Sequence, residues 1–374
     1  MTLPPPQWID NATRLKTLAQ TLAHEPAVAV DTESNSLYAY REQVCLIQIS
    51  IPAHDYLLDP LVVSDLTPLA TFFANPRQQK IFHAAEYDVL CLKRDYGFEF
   101  AHLFDTMAAA RTLGWAQVGL AALLEKYFGV KMNKKHQRAD WGRRPLTREQ
   151  LDYARLDVHY LLALREIMEK ELTAAGRLEE AHEEFDRLTR LKVEPPPVNH
   201  NHFWHLNGAR DLKPAQAAVL REVYHYRERQ AERANRPPFK IFSEQTLMEI
   251  AQHCPRSPKD LRALSGMTPG QMERHAQALL QAVQHGLAAA PPHPPRQQRE
   301  ADDVRERYDR LHLWRKRKAQ ARGVESDVIL PRDTLWELAR RIPRTPADLQ
   351  TIETLGPWRR ATYGVELLKV LNET

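Results

Sequence analysis

Two acids close the run Val28-Ala29-Val30-Asp31-Thr32-Glu33. Side chains alternate along a strand, so Asp31 and Glu33, two positions apart, leave its end on one face. Carboxylates held that close raise each other's pKa unless positive charge lies between them. A hard divalent cation such as Mg²⁺ or Mn²⁺ takes oxygen ligands and supplies that charge. Taken alone, the three-residue pattern reads first as an exposed strand end with both acids in water, because Asp-x-Glu is common. The rest of the chain adds Asp88, which enters a helix just after a short strand at 80–83. It also adds Tyr153 and Asp157, four apart on one helix face with Cβ atoms roughly 5–6 Å apart. Singly, Asp88 reads as a solvated helix acid and the Tyr153/Asp157 pair as ordinary packing. Together they form an ordered set: D-x-E, a later D, then Y-x-x-x-D.

Phosphate chemistry also calls for positive charge, and the loop KMNKKHQRADWGRR at 131–144 carries six basic residues against one acid. Lys134, Lys135, Arg138, Arg143 and Arg144 are candidate phosphate contacts there, and Trp141 is a candidate for stacking on a base. A merely solvated loop is the plainer reading of the stretch, and Trp141 fits a core anchor equally well.

The elements that must position these groups follow from periodicity. Residues 10–23 predict a helix capped by Asp10 or Asn11, with Leu15, Leu18, Ala19 and Leu22 on one face. Strands are expected at 27–31, 44–51 and 56–58, the last two joined as a hairpin through Pro52-Ala53-His54-Asp55. Helices are expected at 66–73, from 84 through 90, and at 105–113 and 118–128. Thr147 and Gln150 form a capping box that opens the helix carrying Tyr153 and Asp157. Early strands with interleaved helices predict an α/β domain with a mixed sheet flanked by helices. In such folds ligands gather beyond the carboxyl ends of the strands, where Asp31 stands.

Composition narrows the class. With 374 residues and 43% hydrophobic content, the chain suffices for two or three domains. No run approaches the ~18 apolar residues of a membrane helix. The opening MTLPPPQWID has no basic region followed by an apolar one, so no secretory signal is expected. Cys45, Cys91 and Cys254 share no metal-site spacing and fit a reducing, cytoplasmic location. Residues 1–200 hold 23 basic and 27 acidic residues, and residues 201–374 hold 29 and 21. An acidic first part joined to a basic second part suits a metal-holding catalytic domain with nucleic-acid-binding appendages.

The second part repeats itself. Tyr226-Arg227, Ala231, Thr246-Leu247, Glu249, Ala251, Pro255 and Asp260-Leu261 recur as Trp314-Arg315, Ala319, Thr334-Leu335, Glu337, Ala339, Pro343 and Asp348-Leu349, always 88 residues on. Each copy reads as several short helices with Pro-bearing turns. A stiff linker at Glu194–Asn201 and a Pro-rich spacer at Ala288–Arg299 bound them. His200, His202 and His205 share no acid or cysteine partner at metal spacing and read as a linker accident. The expected domains are 1–193, 205–287 and 300–374.

DTESNSLYAYREQVCLIQIS, IFHAAEYDVL and RPLTREQLDYARLDVHYLL resemble the three exonuclease motifs of the DEDD superfamily, in its tyrosine subgroup. The paired repeats resemble HRDC domains. This resemblance implies a ribonuclease-H-like fold followed by two small all-α domains, and a 3′→5′ exoribonuclease acting on structured RNA precursors, tRNA 3′ ends above all. It implies two divalent metal ions, with Asp31, Glu33 and Asp157 on one and Asp31 bridging to a second that Asp88 helps to hold. It implies that Tyr153 orients the attacking water. Phosphodiester hydrolysis agrees with this, since two ions ~3.5–4 Å apart serve both the entering and the leaving oxygen. A neutral tyrosine suits hydrogen-bond positioning better than proton abstraction. No P-loop is present, so no nucleotide cofactor is expected and a helicase is excluded. A DNA 3′→5′ exonuclease shares this metal chemistry and differs in contacts to the 2′-OH. A non-catalytic RNA-binding scaffold would be free to lose the four acids and Tyr153.

Overall fold

The buried run Val28-Ala29-Val30 belongs to Ala27–Ser34 (β2), an inner strand of a six-stranded mixed sheet. The computed structural model describes residues 4–194, 201–295 and 299–372. Spatial order is β1 (Gln7–Ile9), β4 (His54–Leu58), β3 (Val44–Ile51), β2, β5 (Gln79–Phe82) and β6 (Leu103–Asp105). β2 pairs antiparallel with β3 and parallel with β5, while β3 and β4 form the expected hairpin. All eight residues of β3 are buried, as befits a strand covered on both faces. The three-residue strands β1 and β6 were not expected, because they are too short to show a period. β2 runs past Asp31 to Ser34 and so includes Glu33.

Eight helices cover this sheet: α1 (Ala12–Leu22), α2 (Ala70–Ala74), α3 (Glu86–Tyr96), α4 (Thr106–Leu113), α5 (Leu120–Phe128), α6 (Arg148–His159), α7 (Leu161–Ala174) and α8 (Leu178–Thr189). Asn11 caps α1 by accepting from the Arg14 amide at 3.0 Å, and α3 ends at Gly97, whose φ of 67° glycine adopts without strain. The helix expected at 66–73 opens as a 3₁₀ turn, Thr67–Leu69, before α2.

The first repeat forms α9 (Pro214–Arg233), α10 (Glu244–His253), α11 (Pro258–Arg262) and α12 (Pro269–Ala288). The second forms α13 (Asp302–Arg322), α14 (Ser326–Ile329), α15 (Arg332–Arg341), α16 (Pro346–Leu349) and α17 (Pro357–Asn372). Each has its own apolar core, centred on Leu220, Leu247 and Leu279 in the first and on Leu311, Leu335 and Leu367 in the second. Most of the Glu194–Asn201 linker, His200 included, lies outside the described residues. His202 and His205 belong to a 3₁₀ turn with ring centroids 4.9 Å apart.

Contacts divide the chain into two units that cut across sequence order. One is Met1–Ser34, Val44–Val193 and Arg299–Thr374; the other is Asn35–Gln43 with Glu194–Gln298. The second repeat is thus packed with the α/β domain. Glu180 on α8, fully buried, takes Arg322 of α13 in a two-pronged ion pair at 2.8 and 2.5 Å. Glu183 accepts Arg359 Nη1 at 2.7 Å and the amide of Trp358 at 2.6 Å. Those groups sit in the first turn of α17, where a carboxylate satisfies open N–H groups and favours the helix dipole. In the other unit, Tyr40 packs on the first repeat's core and its hydroxyl donates to Glu228 at 3.5 Å.

Candidate active site

β2 carries Asp31 and Glu33 out of the sheet on one face, and α6 lies against β2, β3 and β4. Asp31, Glu33 and Asp157 each bring a carboxylate oxygen within 4.8 Å of the other two. Asp88, on the first turn of α3 and buried, is the fourth acid. Its Oδ1 accepts two bonds from Thr32, from the amide at 3.1 Å and the hydroxyl at 2.5 Å. Thr32 lies between the two β2 acids in sequence, so the same strand end that carries Asp31 and Glu33 also fixes Asp88.

Burial and like charge make this centre costly as four anions. Asp31 is raised well above the usual carboxylate range by burial first, then by Asp88, Asp157 and Glu33. Burial, with Asp157 and Asp88, pushes Glu33 up to about 9. Burial, with Asp88, raises Asp157 to about 8. Burial carries Asp88 to about 7, with the hydrogen bonds from Thr32 pulling back. Asp157 Oδ2 is buried without a hydrogen-bond partner among the described residues. Hard oxygen donors, short spacing, uncompensated charge and an open lone pair all fit a divalent cation. Asp31, Glu33 and Asp157 are the residues that could hold one.

Tyr153 lies one turn before Asp157 on α6, close enough for that carboxylate to act on its hydroxyl. Burial and the neighbouring acids Asp157, Glu33 and Asp31 raise its pKa far above the ordinary value. It is therefore a neutral donor and acceptor at any working pH. α6 is placed by the capping box read from the sequence: Thr147 accepts the Gln150 amide, and the Gln150 side chain accepts the Thr147 amide. A second anchor was not read. Asp55 on β4 accepts Arg155 Nε at 2.7 Å and His159 Nδ1 at 2.8 Å on one oxygen, and Ser50 Oγ at 2.7 Å on the other. Burial alone would raise the Asp55 pKa, but the bonds from His159, Ser50 and Arg155 hold it below the usual range. Asp105 was also missed. It caps α4 through the Met107 and Ala108 amides and holds the entry to α3 through the Ala84 and Ala85 amides. An Asp before the small-residue run Thr106–Ala110 was a legible cap signal; the α3 contact is tertiary and was not.

The basic loop divides. Lys135, Arg138 and Arg143 are exposed. Lys134 belongs to the 3₁₀ turn Lys134–His136, and its side chain lies outside the described ones. Trp141 and Arg144 correct the expectation. Trp141 is 1% exposed, in a cluster with Cys45, Leu46, Leu57, Tyr153 and Ala154, and its ring centroid is 6.1 Å from that of Tyr153. It is the core anchor and supports the Tyr153 ring; it presents no face to a base. Arg144 grips Asp59 with two bonds, 2.6 and 2.8 Å, and donates to the carbonyls of Trp141 and Cys45. With those acceptors engaged, it anchors the loop instead of meeting phosphate.

Residues 6–173 match the family described as 3′-5′ exonuclease, and residues 216–283 and 304–371 each match the HRDC domain. Ribonuclease D of Nitrobacter hamburgensis is 29% identical over 95% of this chain and 92% of its own length. Escherichia coli RNase D, described as an exoribonuclease involved in structured RNA processing, superposes with a TM-score of 0.71 at 25% identity, covering 98% of this chain and 99% of that one. The catalytic core of RRP6 from Trypanosoma brucei gives 0.69 at 29% identity over 77% and 82%. Fold, acid cluster and domain order thus define a 3′–5′ exonuclease followed by two HRDC domains. Within that class, the chain is a 3′–5′ exoribonuclease that is similar over nearly its whole length to ribonuclease D proteins.

Proposed function

We propose that the enzyme removes nucleotides singly from the 3′ ends of structured RNA precursors, tRNA 3′ ends above all, by hydrolysis at a site for two divalent ions, Mg²⁺ or Mn²⁺. The convergence of Asp31, Glu33 and Asp157 within 4.8 Å carries this reading. Those three would hold one ion, with Asp31 shared by a second. Asp88 would serve the second through Oδ2, because Thr32 occupies Oδ1. Bound divalent ions lower the pKa of water and stabilise charge on phosphate oxygens. Tyr153 supplies what a cation cannot: a neutral hydroxyl that directs a water lone pair and excludes other orientations. Asp157 orients that hydroxyl, and Trp141 holds its ring. Lys135, Arg138 and Arg143, exposed on the basic loop, would meet backbone phosphates, which position a strand without reading sequence. Domain order and the E. coli protein's role in structured RNA processing support the substrate class.

The test is digestion of matched 3′-labelled RNA and DNA, and of a tRNA precursor with a 3′ trailer. Each is run with Mg²⁺ or Mn²⁺ and with EDTA, for wild type and Asp31→Ala. RNA-selective, metal-dependent shortening, abolished in Asp31→Ala, is expected. Near-wild-type turnover in that variant would sink the site assignment, and equal rates on DNA would sink the substrate assignment.

A further inference from the structure

Gln48 is fully buried on β3, and both polar atoms of its carboxamide lack a hydrogen-bond partner among the described residues. Such a group costs about 1–3 kcal/mol if nothing satisfies it, so its surroundings bear on its use. Gln48 is the direct cross-strand partner of Asp31. Directly opposed residues of an antiparallel pair share a face, with Cβ atoms roughly 4.5–5.5 Å apart. Two positions along β3 on that same face stands Ser50, which donates to Asp55. Gln48 therefore lies between the acidic centre at Asp31 and the ion pair at Asp55, on the face where α6 brings Asp157 to one and Arg155 to the other.

Two further buried polar atoms on α6 are without partners among the described residues, Asp157 Oδ2 and Arg155 Nη2. The four atoms are complementary. Asp157 Oδ2 can only accept while ionised and Arg155 Nη2 can only donate, while a carboxamide offers two N–H groups and an acceptor oxygen. We propose that Gln48 is a positioning residue of the active centre, its Nε2 donating toward Asp157 and its Oε1 accepting from the side of Arg155, in each case through a bridging buried water. The carboxamide thereby ties the metal-facing carboxylate to the Arg155–Asp55 pair that anchors α6. Partners of this kind orient a ligand and raise its affinity for metal, and their loss typically costs ~10–100-fold in metal affinity or activity. The proposal rests on the reading of the acids as cation ligands.

Gln48→Met keeps length and removes both polar atoms. If Gln48 were only an unsatisfied core group, this change would leave function alone and hold or raise the melting temperature. The linking role predicts instead that Mn²⁺ affinity, measured calorimetrically without RNA, falls ~10–100-fold. It also predicts that kcat on a short RNA falls by a similar factor while KM holds. Arg155→Lys retains a cation for Asp55 but no Nη2, and should reproduce the affinity loss. The two losses should not add in the double variant, because they break one link. Asp31→Asn is the reference. If wild type and Asp31→Asn bind Mn²⁺ alike, the reading of the acids fails. If Asp31→Asn loses binding while Gln48→Met and Arg155→Lys retain it, the role of Gln48 alone is overturned. Should Gln48→Met not fold, wild-type affinity in Arg155→Lys still overturns it.

Discussion

A solvated aspartate is an anion above pH ~4; Asp31, Asp88 and Asp157 are not free to be. In the folded protein burial carries Asp88 to about 7 against the pull of the Thr32 hydrogen bonds, and burial followed by repulsion from neighbouring acids carries Asp157 to about 8 and Glu33 to about 9. Between the unfolded carboxylate pKa values and these, the native state holds more protons than the unfolded state. Stability of the metal-free enzyme therefore falls as pH rises across that window. With EDTA, the melting temperature should drop steadily from pH 5 to pH 8.5, and saturating Mg²⁺ should flatten the slope by favouring the anions. A metal-free protein equally stable at both ends would contradict the repulsion. Tyr153 stays neutral throughout, so it contributes position and not charge. Tyr153→Phe should lower kcat by ~10²–10⁴-fold, the range for a positioned proton-handling group, with KM on a short RNA little changed. Unaltered turnover would reduce Tyr153 to a packing partner of Trp141.

At the scale of elements, α6 is pinned twice, by its capping box and by the Arg155–Asp55 pair, whose side chains are each 5% exposed. Removing one partner of such a pair leaves an unpaired buried charge and costs about 3–5 kcal/mol. Asp55→Asn keeps shape and some hydrogen bonding, so a loss somewhat below that range should appear as a lower denaturation midpoint in urea. No loss would mean that water reaches Arg155. These contrasts mark what a sequence can show. The shared face of Asp31 and Glu33, the Tyr153/Asp157 spacing and the Thr147/Gln150 cap are local, fixed by strand and helix periods. The grip of Thr32 on Asp88 and the hold of Asp55 on α6 join positions 56 and 100 residues apart, where periodicity carries no information. Trp141 and Arg144 misled for the same reason. A basic, aromatic loop has one composition whether its side chains meet phosphate or, as here, Asp59 and the Tyr153 ring.

On the scale of the molecule, the second HRDC domain is set off in sequence by a Pro-rich spacer, yet it shares buried ion pairs with the α/β domain. Arg322→Leu should consequently destabilise the enzyme by roughly 3–5 kcal/mol, read as a lower midpoint in urea, although it lies far from the acids in sequence. An unchanged midpoint would show Glu180 to be satisfied otherwise. Deleting 300–374 should do the same damage, so a loss of activity in that truncation would not by itself measure RNA grip. The pairing of Glu180 with Arg322 also spans 142 residues of chain. A ribosome adding ~5–20 residues per second delivers the arginine roughly 7–28 s after the glutamate. For that interval the nascent exonuclease domain carries an acid destined for burial and has no counter-charge to bury it with. Its final closure must wait for the last module to be synthesised, with the whole first repeat emerging in between.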